Sequence, residues 1–376
     1  MTRSRDTRID VLRGLALVTI FINHIPGHAL GKLTTRNFGL SDAAEVFVLL
    51  AGYAAAFAYD RKFAAGRRWD MTLKAWQRAA TLYVWHIATT FAAVAMLAFA
   101  AAVFARPGYL LDTIPGFYVN IWPFGADPVS GFIGLVTLGH QLGYFNILPM
   151  YMVLLLGMPL IMLMARQGLG LLVAASVTLW FLAGCFALDL PNYPTAGGWF
   201  FNPFAWQVLF VIGFALAIRT REGRPIPFNP FLFGAALVYL AFSFYIVRFN
   251  GWDLVPKLSP LPERLTRFDK GYVSYPRLLH VLALAYVVMA SPMGQWLGRI
   301  GDANPLAVMG RNSLPVFAWG ALLSVTCFIL RTELHGGLWL DLFLTAGGLA
   351  VLYAIALNAD SRRPAPVPSV VRVRNR

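Results

Sequence analysis

Three charged side chains open the chemistry of this 376-residue chain: Arg8, Asp10 and Arg13 sit immediately before an apolar run, and that run ends in Asn23 and His24. An imidazole within a hydrophobic segment is costly to bury and is by default a functional group. With an ordinary pKa near 6.5 it can also take a proton from a hydroxyl at neutral pH. Eleven positions separate Arg13 from His24. On a continuous helix that is roughly 16 Å along the axis, about half of a bilayer core. The spacing therefore predicts a cation at one membrane surface and a reacting group near mid-depth on one helix.

A second set of groups would assist. Glu45 lies a few residues into the next apolar segment, at a depth similar to that of His24 if the two helices are antiparallel, and is the expected orienting carboxylate. The competing reading makes Asp42 and Glu45 acids of a helix first turn, favoured by its dipole, and this is the preferred reading for Asp42. Lys74 and Arg78 begin a later span, where with Arg8, Asp10 and Arg13 they could hold a phosphorylated donor through charge-assisted bonds. Membrane anchoring accounts for the arginines alone but not for the acid between them. On the opposite side three clusters mix hydrogen-bonding and aromatic side chains, as a sugar site does: His140, Gln141, Tyr144 and Asn146; Asn202, Trp206 and Gln207; and Arg277 with His280. Interfacial aromatic belts and helix caps explain such clusters equally well. No phosphate loop of the P-loop kind is present. The six histidines form no HExxH zinc pattern, and although His24 and His28 have HxxxH spacing, Pro26 and Gly27 interrupt the helix between them, so no metal is expected.

The elements that must position these groups are membrane helices. Hydrophobic residues make up 58% of the chain and charged residues 13%, and mean hydropathy is +0.63, which marks an all-α polytopic integral membrane protein. Ten spans are expected, near 12–30, 43–60, 76–104, 147–165, 169–188, 204–218, 230–249, 276–292, 313–331 and 339–357. The net charge of +14 is read through the sorting of basic residues to the cytoplasmic side rather than as a nucleic-acid surface. Most of the 31 basic residues fall on one side if both termini are cytoplasmic, so N-in and C-in is expected. No cleavable signal peptide is expected, since nothing like a cleavage site follows the first apolar run. Cys185 and Cys327 read as buried thiols. The apolar piece at 131–140 is too short to span and is expected to be re-entrant or interfacial. Residues 361–376 read as a basic tail lying on anionic lipid. Six basic residues crowd the outer segment from Arg248 to Arg277, against the sorting rule. Either the topology differs at that point, or the loop folds over the site and meets something anionic, and the second is the expectation.

An ordered set of motifs, RIDVLRG at 8–14, SDAAEVFVLLAGY at 41–53, NILPMY at 146–151, NPFAWQ at 202–207 and GRNSLPVF at 310–317, resembles the OpgC family over roughly residues 5–358. These are bacterial inner-membrane proteins that transfer succinyl groups to osmoregulated periplasmic glucans. The family is similar in turn to the transmembrane acyltransferases of family three, in which a basic residue, ten intervening residues and a histidine mark the first helix, as Arg13 and His24 do here. The resemblance implies a transmembrane acyltransferase domain over 1–360, with His24 catalytic and Arg13 contacting the donor. It implies an acyl-CoA donor, succinyl-CoA in the first instance, a periplasmic glucan acceptor and contact with glucan synthase machinery. The wider family's paired-arginine motif is only approximated by Lys74 and Arg78. The alternative class is a proton-coupled exporter of small anions or sugar-linked substrates, which basic gates and a mid-membrane histidine would also suit. No inverted repeat is evident in the hydropathy.

Overall fold

The computed structural model describes residues 6–114, 119–254 and 260–362. Lys257 and the basic tail beyond Arg362 lie outside the described residues. Among those described the secondary structure is helical, with a single isolated β-bridge between Pro191 and Gly198. Thirteen helices carry the architecture. They are α1 (Thr7–Asn23), α2 (Ala43–Ala55), α3 (Arg68–Val103), α4 (Ile147–Leu156), α5 (Met158–Gln167), α6 (Leu169–Phe186) and α7 (Pro203–Arg221), followed by α8 (Pro230–Arg248), α9 (Tyr275–Ala290), α10 (Pro292–Arg299), α11 (Pro305–Arg311), α12 (Ser313–Glu333) and α13 (Leu338–Ser361). The protein is an all-α polytopic membrane protein.

Seven described helices are long and apolar enough to cross a bilayer, and two bent pairs bring the number to nine if each pair is one span. The pairs are α4 with α5, bent by 50°, and α9 with α10, bent by 70°. Each bend has a proline just beyond it, Pro159 and Pro292, whose ring denies the preceding turn a backbone bond. The remaining expected span, 12–30, is shorter than drawn. The α1 helix has 17 residues and stops with His24 as its C-cap residue. Pro26 cannot continue the ladder, and Gly27 has a φ of +67°, so the chain turns away there. His24 thus stands at the end of a helix rather than within one. After α2 the chain runs through a π-helical turn, Ala56–Asp60, that buries Tyr59 and Asp60. Arg166 and Arg221 both donate to Asp60, joining α2 to the ends of α5 and α7. The apolar piece expected at 131–140 is a short helix, Pro128–Val136.

Two close crossings fix the centre. At the α1–α11 crossing, a Cβ on Gly14 would lie 2.0 Å from the Leu306 carbonyl oxygen, and one on Gly310 would lie 1.8 Å from that of Asp10. At the α2–α7 crossing, Gly52 and Gly213 meet the carbonyls of Phe210 and Leu49 in the same way. Lipid gives helices little hydrophobic reason to associate, so backbone contact over small residues does the packing. The end of α1 lies beside the start of α2, with Asn23 and His24 lining one cavity with Asp42, Ala43 and Ala44.

Candidate active site

The ring of His24 is stacked on Tyr144, with centroids 4.3 Å apart and planes 24° from parallel. Neither ring nitrogen has a hydrogen-bond partner among the described residues. Tyr144 is held at a φ of +74°, a left-handed conformation that a bulky residue adopts only when its surroundings impose it. The restraint is visible next door, where the Gly143 N–H donates to the Val119 carbonyl at 2.8 Å. Burial pushes the Tyr144 phenol up to about 12, so it remains an O–H at any physiological pH.

Both rings face a cavity of about 440 Å³, a size suited to a small-molecule substrate. Its polar wall includes Asn23, Arg36, Asp42, Asn120, Gln141, Asn146 and Lys270, and its apolar wall includes Phe200, Phe201, Ile147 and Phe317. Asp42 caps α2, accepting from the Ala44 N–H at 2.8 Å while its own N–H donates to Glu45. The other Asp42 oxygen takes the Lys270 ammonium at 2.5 Å. Lys270 comes from the basic segment between α8 and α9, and it brings one charge of that segment to the cavity wall. Trp206 secures it from within the bundle, its indole N–H donating to the Lys270 carbonyl at 3.0 Å.

A second cavity, of about 50 Å³, lies deeper along α1. Arg13 and Arg78 both line it, together with Phe47, Tyr151 and Ser313. Arg13 donates to the Ser313 hydroxyl and lies 5.7 Å from the centroid of the Phe47 ring. Ile147 and Phe317 belong to the walls of both cavities. Two side chains therefore partition the space between the arginine chamber and the histidine chamber. The other expected donor residues are elsewhere. Arg8 pairs with Asp6 at 2.8 Å, Lys74 lies over the Tyr59 ring, and Asp10 is buried where its carbonyl meets Gly310. None of the three lines either cavity.

Glu45 is not the partner of His24. It is fully buried, with one oxygen taken by Arg277, whose Nε donates at 2.6 Å, and the other by the Asp42 N–H at 3.0 Å. Both of its oxygens serve these partners, and neither meets the His24 ring. The stack on Tyr144 orients the histidine instead. Four more expected substrate contacts satisfy internal bonds. His280 meets the Ser41 hydroxyl at 2.7 Å in space left by Gly39. Asn202 caps α7 and donates to the Leu188 carbonyl, Gln207 bonds Ser176, and Arg277 serves Glu45. His140 is buried against the edge of Phe124, and burial holds its ring neutral by lowering its pKa. The residues that spacing did not single out, Arg36, Asn120, Phe200 and Phe317, come from loops and a distant helix. The asparagine at 120 carries a local signal, a φ of +60°. Among the described residues no three His, Cys, Asp or Glu side chains gather as metal ligands. His28 is turned toward the Asp341 carbonyl and Thr345. Cys327 is buried, Cys185 half-buried, and both are free thiols.

A polytopic helical protein with a histidine in one chamber and paired arginines in a second, along the same first helix, has the layout of a membrane-embedded group-transfer protein. The model of the OpgC protein family matches residues 5–363, and the chain belongs to that family. Membership gives it a glucan-modifying role of the acyltransferase type. No curated protein and no solved structure matches the chain well enough to narrow this further.

Proposed function

We propose that this protein moves a succinyl group from acyl-CoA, bound at the cytoplasmic face of a bacterial inner membrane, to a hydroxyl of a periplasmic glucan, with His24 as the catalytic base. The observation that carries the reading is the pair of chambers on α1. One offers an imidazole with both nitrogens open, and the other offers two arginines suited to a phosphorylated or thioester donor. In this reading the nucleotide end of the donor meets Arg13 and Arg78, and its thioester passes Ile147 and Phe317. A glucan hydroxyl enters the outer chamber among Asn23, Gln141 and Asn146. His24 accepts the hydroxyl proton as the oxygen attacks the thioester carbonyl. The carbon–sulfur bond then breaks, and the proton passes from the imidazolium to the leaving thiolate. Atoms and charge balance with the ester and free CoA as products.

The direct test is purified protein in lipid nanodiscs with radiolabelled succinyl-CoA and a soluble β-glucan. Label should appear on the glucan. His24→Ala should reduce transfer at least about 100-fold, the low end for loss of a general base, while its thermal melt stays that of the native chain. Movement of substrate across a vesicle wall without ester formation would replace this reading with the exporter.

A further inference from the structure

Charge in the outer chamber does not balance. Its wall carries Lys270 and Arg36 against Asp42 alone, and Asp42 already holds the Lys270 ammonium at 2.5 Å. Arg36 has no hydrogen bond or ion pair to any described side chain. It nonetheless stands on a fastened support. The turn Thr35–Asn37 is pinned by the Asn37 amide, which donates to the Gly31 carbonyl at 2.6 Å. The preceding Thr34 hydroxyl donates to the side-chain oxygen of Asn23, also at 2.6 Å, and Asn23 is the neighbour of His24. The arginine is thus hung from the end of the helix that carries the imidazole. Arg36, His24 and Tyr144 line the same cavity.

A sugar hydroxyl can accept from a guanidinium but has no charge to balance it, so a neutral acceptor leaves the charge of Arg36 unmatched. We propose that Arg36 binds the free carboxylate of a dicarboxylic acyl group while its thioester end lies at His24, making this arginine the residue that selects a dicarboxylic over a monocarboxylic donor. The guanidinium fork matches a carboxylate bidentately. In a four-carbon diacid only three carbon–carbon bonds separate the two ends, which suits two residues on the wall of one chamber. The inference rests on the acyl-transfer reading above and adds the donor's chemistry to it.

The experiment compares succinyl-CoA and acetyl-CoA as donors to the same uncharged β-glucan, in the native chain, Arg36→Gln and Arg36→Lys, with kcat/KM measured for each. Arg36→Gln should lower the succinyl-to-acetyl preference by about 10- to 100-fold, the range of a charge-assisted hydrogen bond, with most of the loss in kcat/KM falling on succinyl transfer. Arg36→Lys should recover part of it, as a point charge without the fork. Equal loss with both donors would overturn the proposal, assigning Arg36 to the acceptor or to the fold, and so would an unchanged preference. A native chain that transfers neither acyl group would refute the transferase reading itself, and the subsite with it.

Discussion

Replacing Gly310 with alanine tests whether the α1–α11 crossing sets the position of the site. The added Cβ would stand 1.8 Å from the Asp10 carbonyl oxygen, 2.7 Å from its carbon and 2.8 Å from the Gly14 nitrogen. All three are backbone atoms, so no rotamer change relieves the contact. The helices must separate by about 1.5 Å to reach ordinary van der Waals distance, in an interior that is close-packed. Overpacking costs about 1–3 kcal/mol, and a backbone clash belongs at the upper end. Against this stands about 1 kcal/mol of gained helix propensity, leaving a net loss of about 2 kcal/mol. Gly320 on α12 supplies the contrast. Its Cβ would meet only Leu352 methyl groups at 3.7 Å, so alanine there keeps the propensity gain without the clash. Thermal unfolding followed by a thiol-reactive fluorescent dye reads both variants in a Cys185→Ala background, because the buried Cys327 becomes reactive only on opening. Gly310→Ala should melt several degrees below the native chain and Gly320→Ala at or above it. If Gly310→Ala melts as high as Gly320→Ala, the crossing does not hold α1 as argued.

Arg277→Gln removes the ion-pair partner of a carboxylate with no exposed surface, and should cost about 3–5 kcal/mol. The double variant with Glu45→Gln should recover much of that loss in the same melt, and equal losses would refute the pairing. Phe317→Ala should join the two chambers and let water reach the thioester, so that hydrolysis to free CoA and the free acid proceeds without any glucan, measured as thiol release. A rate equal to the native chain's would show that Phe317 does not divide them. In the loop after α6, burial pushes the Asp189 carboxyl up to about 6. The folded chain therefore holds that proton more tightly than the unfolded chain, whose aspartate titrates near 3.9. The contribution is full at acid pH and is lost as pH rises through about 4 to 6. Asp189→Asn should remove this component, seen as a flatter melting temperature between pH 4 and 7.

His24 was legible because an imidazole in an apolar run contradicts its surroundings, and Asn23, Asp42, Gln141, Tyr144 and Asn146 were legible with it. The same polarity signal also marked His280, Asn202, Gln207 and Arg277, which satisfy one another or the backbone. Their partners lie up to 239 positions away, as between His280 and Ser41. A sequence shows that a membrane residue is polar, not that its bonds are already made. Glu45 is the sharpest instance, since depth matched it to His24 while Arg277 claimed it. Arg36 has the opposite difficulty. In a short loop it looks like any surface arginine, and only the three-dimensional charge count marks it. The helices themselves were readable from hydropathy, but the bends at Pro159 and Pro292 and the stop before Pro26 depend on local backbone chemistry that hydropathy averages away.

The indole of Trp206 grips the segment above the outer chamber from below, and this limits what can be modified. The bond fixes the backbone at Lys270, and the room beside it, about 440 Å³, suits a fragment rather than a chain. Under the acyl-transfer reading, an acceptor offers one protruding residue at a time, so linear and cyclic polymers, long or short, would be substituted alike.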